Sequence, residues 1–295
     1  MIDAFCRATR TPFAVAVRDN TLGIRIGAIH SELSAYIPGQ LLPPSPLRTI
    51  TARHTVGMAD PLTEDEIAPA ERLRDSLPQS LISCIRTYGL THFKIKLSGD
   101  VGKDLARLKK LNEVISRNTQ DFRFTLDGNE NFKALGPFRD LWVELNSEDT
   151  LKEFMRRLLF VEQPFHRDVA LSPELGERLL AWTDRPPIII DESDCELGSV
   201  RTALEYGYVG TSHKNCKGVF KGIANACLIE QRRRMDKLRN ASTPLIISGE
   251  DLCNIGPIAL LQDLAVMATL GIEHVERNGH HYFSGLSMLP ALMQA

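Results

Sequence analysis

Four charged side chains close successive apolar runs in this chain. Lys96 ends Thr91-His-Phe-Lys-Ile-Lys96, Asp127 ends Phe122-Arg-Phe-Thr-Leu-Asp127, Glu162 ends Leu158-Leu-Phe-Val-Glu162 and Asp191 ends Pro187-Ile-Ile-Ile-Asp191. If these ends meet, Asp127, Glu162 and Asp191 form a set of carboxylates that cannot all stay ionised without a counter-cation. An all-oxygen set suits Mg²⁺, with Mn²⁺ as the alternative. Taken singly, each carboxylate could instead pair with a lysine or cap the helix that follows it. Lys94 and Lys96 alternate with Phe93 and Ile95 and so share one side of their run, while Lys214 closes a later one. Amines facing each other across a cation could lower one another's pKa, leaving one neutral and able to accept a proton.

The four chain positions are separated by 31, 35 and 29 residues. Each step holds about one strand, one helix and two loops, which is the period of a β/α barrel. Further candidate strands are His54–Met58, Tyr208–Lys214, Pro244–Ser248 and Ile272–Glu276, making eight. Candidate helices are a Glu-, Leu- and Ile-rich stretch running to Tyr88, then Asp104–Ile115, Thr150–Arg157, Glu174–Trp182, Ala224–Leu238 and Gly256–Leu270. Short β-branched runs suit strands covered on both faces, so the pattern predicts an α/β fold, a modified TIM-type (β/α) barrel over 51–295. Residues 1–50 differ from the rest: an amphipathic piece carrying Ile2, Phe5 and Ala8, then Gly-, Pro- and Leu-rich connections through Pro43-Pro-Ser-Pro46.

The 295 residues, 43% of them hydrophobic, suffice for one large core, and a formal net charge of −2 gives no field for nucleic acid or an anionic membrane. A small-molecule partner is expected. The six cysteines form no CxxC pair, and the first residues lack a basic segment followed by an apolar one, so a reducing cytoplasm is expected. There is neither a Gly-x-Gly-x-x-Gly fingerprint after the first strand nor a phosphate loop ending in Gly-Lys-Ser/Thr. The basic run Gln231-Arg-Arg-Arg-Met-Asp-Lys-Leu-Arg reads as a solvated helix face.

Taken in order, Lys94-Ile-Lys96, Asp127-Gly-Asn129, Glu162-Gln-Pro164, Asp191-Glu-Ser193 and Lys214-Asn-Cys-Lys217-Gly218 resemble the motifs of the enolase superfamily. The likeness extends over most of the chain and points to the muconate-lactonising branch of the mandelate racemase/muconate-lactonising enzyme family. It implies Asp127, Glu162 and Asp191 as Mg²⁺ ligands, Lys96 as general base, Lys214 as acid or base on the opposite face of the substrate, and Lys94 as an electrostatic neighbour. Asn129, Gln163 and Glu192 become supports that orient the ligands. The implied reaction is abstraction of the proton next to a substrate carboxylate, leading to epimerisation or racemisation, cycloisomerisation or dehydration. A homo-oligomer is a further expectation.

Two departures follow. The family's N-terminal capping domain is largely missing: residues 1–50 resemble the end of its linker helix and connecting loops, as in a truncated chain or a reduced variant. The eighth strand carries Val275-Glu-Arg-Asn-Gly-His-His281 in place of an Asp-x-Asp, and the seventh ends Ser248-Gly-Glu250-Asp251 without a catalytic histidine. Glu250, Glu276, Arg277 and His280 are therefore candidates for contacting the substrate. Asp194 and His213 stand beside candidate site residues, His213 on the outward side of its strand. The competing reading is a catalytically silent barrel with a binding or structural role.

Overall fold

The computed structural model describes residues 1–238, 244–250, 254 and 256–294. Among them, eight parallel strands close into a barrel in sequence order: β1 (Thr51–Val56), β2 (His92–Lys96), β3 (Arg123–Asp127), β4 (Leu158–Glu162), β5 (Ile188–Ile190), β6 (Gly210–His213), β7 (Ile246–Glu250) and β8 (His274–Arg277). The helices following β1 to β7 are α1 (Leu81–Tyr88), α2 (Val101–Asn118), α3 (Leu135–Ser147), α4 (Pro173–Ala181), α5 (Ser199–Glu205), α6 (Val219–Leu238) and α7 (Ile258–Leu270). This is the expected (β/α) barrel.

The main apolar core lies between strands and helices. In α2, Leu108, Leu111 and Ile115 recur on one face and are buried, and the Asp100 carboxylate caps its first turn by accepting the Lys103 N–H at 3.0 Å. Ser80 and Ser172 cap α1 and α4 in the same way, and Gly89 and Gly271 end α1 and α7 in the left-handed region that favours glycine. Among the described residues no helix is long and apolar enough to cross a membrane.

Several sequence expectations are corrected. The Glu-rich stretch before Tyr88 is helical only over α1; upstream it forms 3₁₀ turns at Glu64–Glu66 and Pro69–Glu71. Pro61, Pro69 and Pro78 remove amide donors too often for a longer helix. The main helix between β3 and β4 is α3, whereas Thr150–Arg157 holds part of a 3₁₀ turn and a four-residue helix. Gly136 and Pro137 hid α3, yet they fall in its first turn, where a missing N–H costs nothing. α5 was also unforeseen. Strand β7 runs two residues later than expected, since Pro244 cannot donate to a ladder, and this carries Glu250 onto the strand end.

Within residues 1–50, Val17, Ile24, Ile26, Leu33, Leu41 and Leu42 belong to the same apolar core as the barrel helices. His30 Nε2 lies 2.9 Å from Asn225 Oδ1 of α6. The helix Ile2–Thr9 forms as the amphipathic pattern predicts but buries none of its residues.

Candidate active site

Parallel pairing aligns the strand ends that carry charge. Lys96 is level with Asp127, Asp127 with Glu162, and Glu250 with Glu276. Side chains alternate along a strand, so Lys94, Lys96, Thr125, Asp127, Ser212, Lys214, Ser248, Glu250 and Glu276 all belong to the barrel's inner side.

Lys94 is the centre of this floor. Only 1% of its side chain is exposed, and its Nζ lies 2.9 Å from Asp127 Oδ2, 3.1 Å from Glu162 Oε1 and against Glu276 Oε2. Burial alone would lower its pKa, but Asp127, Glu162 and Glu276 outweigh burial and raise it well above the ordinary lysine value. Above it, Lys96 Nζ sits 2.6 Å from Asp127 Oδ2 with its side chain 24% exposed. Across the mouth, Lys214 Nζ pairs with Asp191 Oδ2 at 2.9 Å and Glu250 Oε2 at 2.7 Å. Burial opposes the charge on Lys214, yet Asp191 and Glu250 hold its pKa above the usual lysine range. Without a cation at the mouth, Lys94 and Lys214 are each partnered by carboxylates that favour the protonated amine.

The carboxylates divide by how fully they are neutralised. Burial would raise Asp191, but Lys217 and Lys214 pull it down to about 2. Burial likewise opposes ionisation of Glu276, and Lys94 overrides it, again to about 2. Glu162 goes the other way: burial lifts it to about 7, only partly offset by Lys94. Burial also raises Glu192 and Glu250. Glu162 keeps both carboxylate oxygens sealed from solvent; Lys94 Nζ, 3.1 Å from Oε1, is its ionic contact, and neither oxygen accepts a well-aligned hydrogen bond among the described residues. One oxygen each from Glu162, Asp191 and Glu250 lies within 4.8 Å of the others. These residues fit a hard divalent cation.

The expected supports act in different ways. Gln163, held at a φ of 36°, donates from Nε2 to Phe165 O and Ser193 Oγ, both at 2.7 Å, and its Oε1 accepts the N–H groups of Asp191 at 2.8 Å and Ser193 at 3.2 Å. It ties the end of β4 to that of β5. Asn129 contributes its backbone N–H, which donates to Asp127 Oδ1 at 2.9 Å, while the rest of the residue is exposed.

Of the four candidates for substrate contact, Glu250 reaches the mouth. Glu276 is 2% exposed and spends its oxygens on Lys94 and on the Thr55 hydroxyl, 2.7 Å away. Arg277 alternates outward, donating to Asn254 O at 3.0 Å, and His280 packs on the outer face of β1, with Nε2 2.8 Å from His54 Nδ1. Asp251 and Cys253 lie outside the described residues. His213 faces outward, its ring against Gly222 of α6, and Asp194 is held there by Thr211 and Lys221. Lys217 was missed as a site residue. It donates to Asp191 Oδ1 at 2.7 Å, Asp191 O at 2.6 Å and Ser212 O at 2.8 Å. Its position three residues after Lys214 was the available signal.

No protein-family model matches this sequence, and no curated protein does. Solved structures do. A mandelate racemase/muconate lactonizing enzyme from Roseiflexus sp. aligns with a TM-score of 0.51 and 21% identity, over 77% of this chain and 54% of that one. A dipeptide epimerase from Enterococcus faecalis aligns at 0.51 and 17%, over 85% and 69%. A mandelate racemase/muconate lactonizing protein from Paracoccus denitrificans aligns at 0.54 and 13%, over 89% and 68%. This chain has their barrel fold. It spans between about half and two thirds of the length of these proteins.

Proposed function

We propose that this barrel is an enolase-superfamily enzyme that removes the proton next to the carboxylate of a small substrate, as an isomerase or lyase dependent on Mg²⁺. The carrying observation is the placement of Lys96 on β2 and Lys214 after β6, four strands apart in a barrel of eight and hence on opposite sides of one carboxylate floor. The shared fold with a dipeptide epimerase and with mandelate racemase/muconate lactonizing proteins supports the same reading.

In this reading Glu162 and Asp191 hold the cation, flanked by Asp127 and Glu250. Bound there, a divalent cation would supply positive charge beside the substrate carboxylate and would offset the carboxylate pull on Lys94 and Lys214. Lys96 Nζ takes the α-proton from one face. Lys214 Nζ returns a proton from the other, which accounts for epimerisation or racemisation and equally serves elimination, where the proton goes to the leaving group. Lys94 is too deeply buried to touch substrate; its part is to hold Asp127, Glu162 and Glu276 in place. Gln163 fixes the backbone of Asp191.

The test is exchange of substrate α-hydrogen for deuterium, followed by proton NMR in D₂O with Mg²⁺, over a panel of dipeptides, N-acyl amino acids and hydroxy acids. Exchange should occur with at least one class and fall by at least about 10²-fold in Lys96→Ala or Lys214→Ala, the scale of a lost general acid or base. Exchange that persists in both variants removes the assignment of the two lysines. No exchange across the panel, with cation binding intact, favours the catalytically silent barrel.

A further inference from the structure

A second cluster of ligating side chains lies outside the barrel mouth. His54 on the outer face of β1, Cys84 on α1 and His281 in the 3₁₀ turn after β8 are all buried, and each offers one ligand atom within 4.8 Å of the other two. They come from distant points in the chain and share no sequence motif. His281 is 6% exposed, and its Nδ1 is sealed from solvent with no hydrogen-bond partner among the described residues. The His54 and His281 rings meet edge to face with centroids 4.9 Å apart, and His54 Nδ1 is engaged by His280 at 2.8 Å. Alongside is a cavity of about 380 Å³, lined by these three residues together with Asp60 and Arg107.

We propose that His54, Cys84 and His281 form a zinc site that clips the turn His280–Tyr282 to β1 and α1. Two imidazoles and a thiol are borderline-soft donors, which select Zn²⁺ over the hard cation suited to the mouth. Nitrogen and sulfur donors around one tetrahedral zinc stand roughly 3.3–3.6 Å apart, so any of the three pairs that is wider than this must close on binding. The fourth position would face the cavity and be left to solvent. On binding, the Cys84 S–H bond breaks, its proton passes to solvent and sulfur donates the freed pair to zinc, while each neutral imidazole donates a lone pair. His280 acts as the orienting partner of His54, the arrangement that usually accompanies a metal-bound histidine. Burial keeps His54 neutral, with a pKa of about 3, and lowers that of His281, so both imidazoles are available at neutral pH. Burial also pushes the Cys84 thiol up to about 12, so its ionisation requires the metal.

The experiment titrates Co²⁺ into the chelator-treated full chain in excess Mg²⁺, which fills the mouth, and follows the thiolate-to-cobalt charge-transfer band. The band should saturate at one equivalent, be bleached by Zn²⁺, survive in Glu162→Gln and vanish in Cys84→Ser. In His281→Ala, a substitution in the 3₁₀ turn after β8, the affinity should drop by at least about 10-fold, since losing a ligand costs no less than losing an orienting partner. Absence of the band from the parent chain overturns the proposal. So does a band that persists in Cys84→Ser, which would assign the thiolate to another cysteine, such as exposed Cys195 or Cys216. Should Cys84→Ser fail to fold, an unchanged titration in His281→Ala is sufficient to reject the site.

Discussion

Replacing Lys94 by Met keeps most of the side chain's length and its apolar character and removes one charge from the centre of the barrel. The loss leaves Asp127, Glu162 and Glu276 facing one another at 2% exposure or less. Breaking a buried ion pair by removing one partner costs about 3–5 kcal/mol, because the remaining charge is neither solvated nor paired. Against a typical total stability of about 5–15 kcal/mol, such a loss brings the metal-free protein close to unfolding at 25 °C. The deficit should depend on pH in a specific direction. Without the ammonium, burial raises the carboxyl pKa values, so the variant takes up protons in the folded state before the unfolded chain does, and its deficit relative to the parent shrinks as pH falls from about 7.5 towards 5. Adding Glu162→Gln to Lys94→Met should recover part of the loss at pH 7.5. Urea denaturation of parent, single and double variants at both pH values measures these differences. A Lys94→Met deficit below about 1 kcal/mol, or one independent of pH, would falsify the view of Lys94 as an internal counter-ion.

Three further outcomes are expected. Glu162→Gln removes the carboxylate least compensated by protein donors and should weaken Mg²⁺ binding in calorimetry by at least about 10-fold while leaving the metal-free fold as stable as before or more so, whereas undiminished affinity would displace Glu162 from the cation site. Gln163→Leu strands the Asp191 N–H and the Ser193 hydroxyl, so it should cost about 1–3 kcal/mol by urea melts and lower cation affinity; no change in either would show that the link between β4 and β5 does not orient Asp191. Burial holds His213 at about 4 and His54 at about 3, below the ordinary 6.5. The unfolded chain therefore binds protons first as pH drops below about 6.5, and each of these two histidines should withdraw about 1.4 kcal/mol of stability by pH 5.5, a loss that continues down to the folded pKa. Thermal melts of the parent and of His213→Gln across pH 5–8 test this, and identical pH slopes would refute it.

The sequence was most legible where one short run both forms a strand and ends in the residue that matters. Phe122–Asp127 and Leu158–Glu162 are apolar, bounded segments whose last carboxylates had to reach one mouth if the strands were parallel and sequential, and they do. The inward side of Lys94 and Lys96 followed from two-residue alternation. Helix α3 was hidden because Gly136 and Pro137 read as breakers, although in a first turn they break nothing.

What the chain alone determined was the barrel, the order of its strands and the residues that close them, because strand period, helix period and loop length are local properties. Tertiary structure decided which lysine is open and which is sealed, because that depends on the carboxylates other strands bring to it: three meet Lys94, leaving Lys96 and Lys214 at the mouth. It also decided that Glu250 joins the acidic set, through a strand end displaced by two residues, and that Glu276 turns into the floor while Arg277 and His280 turn away. The meeting of His54, Cys84 and His281 left no trace in sequence, since those positions become neighbours only when the eighth strand closes against the first.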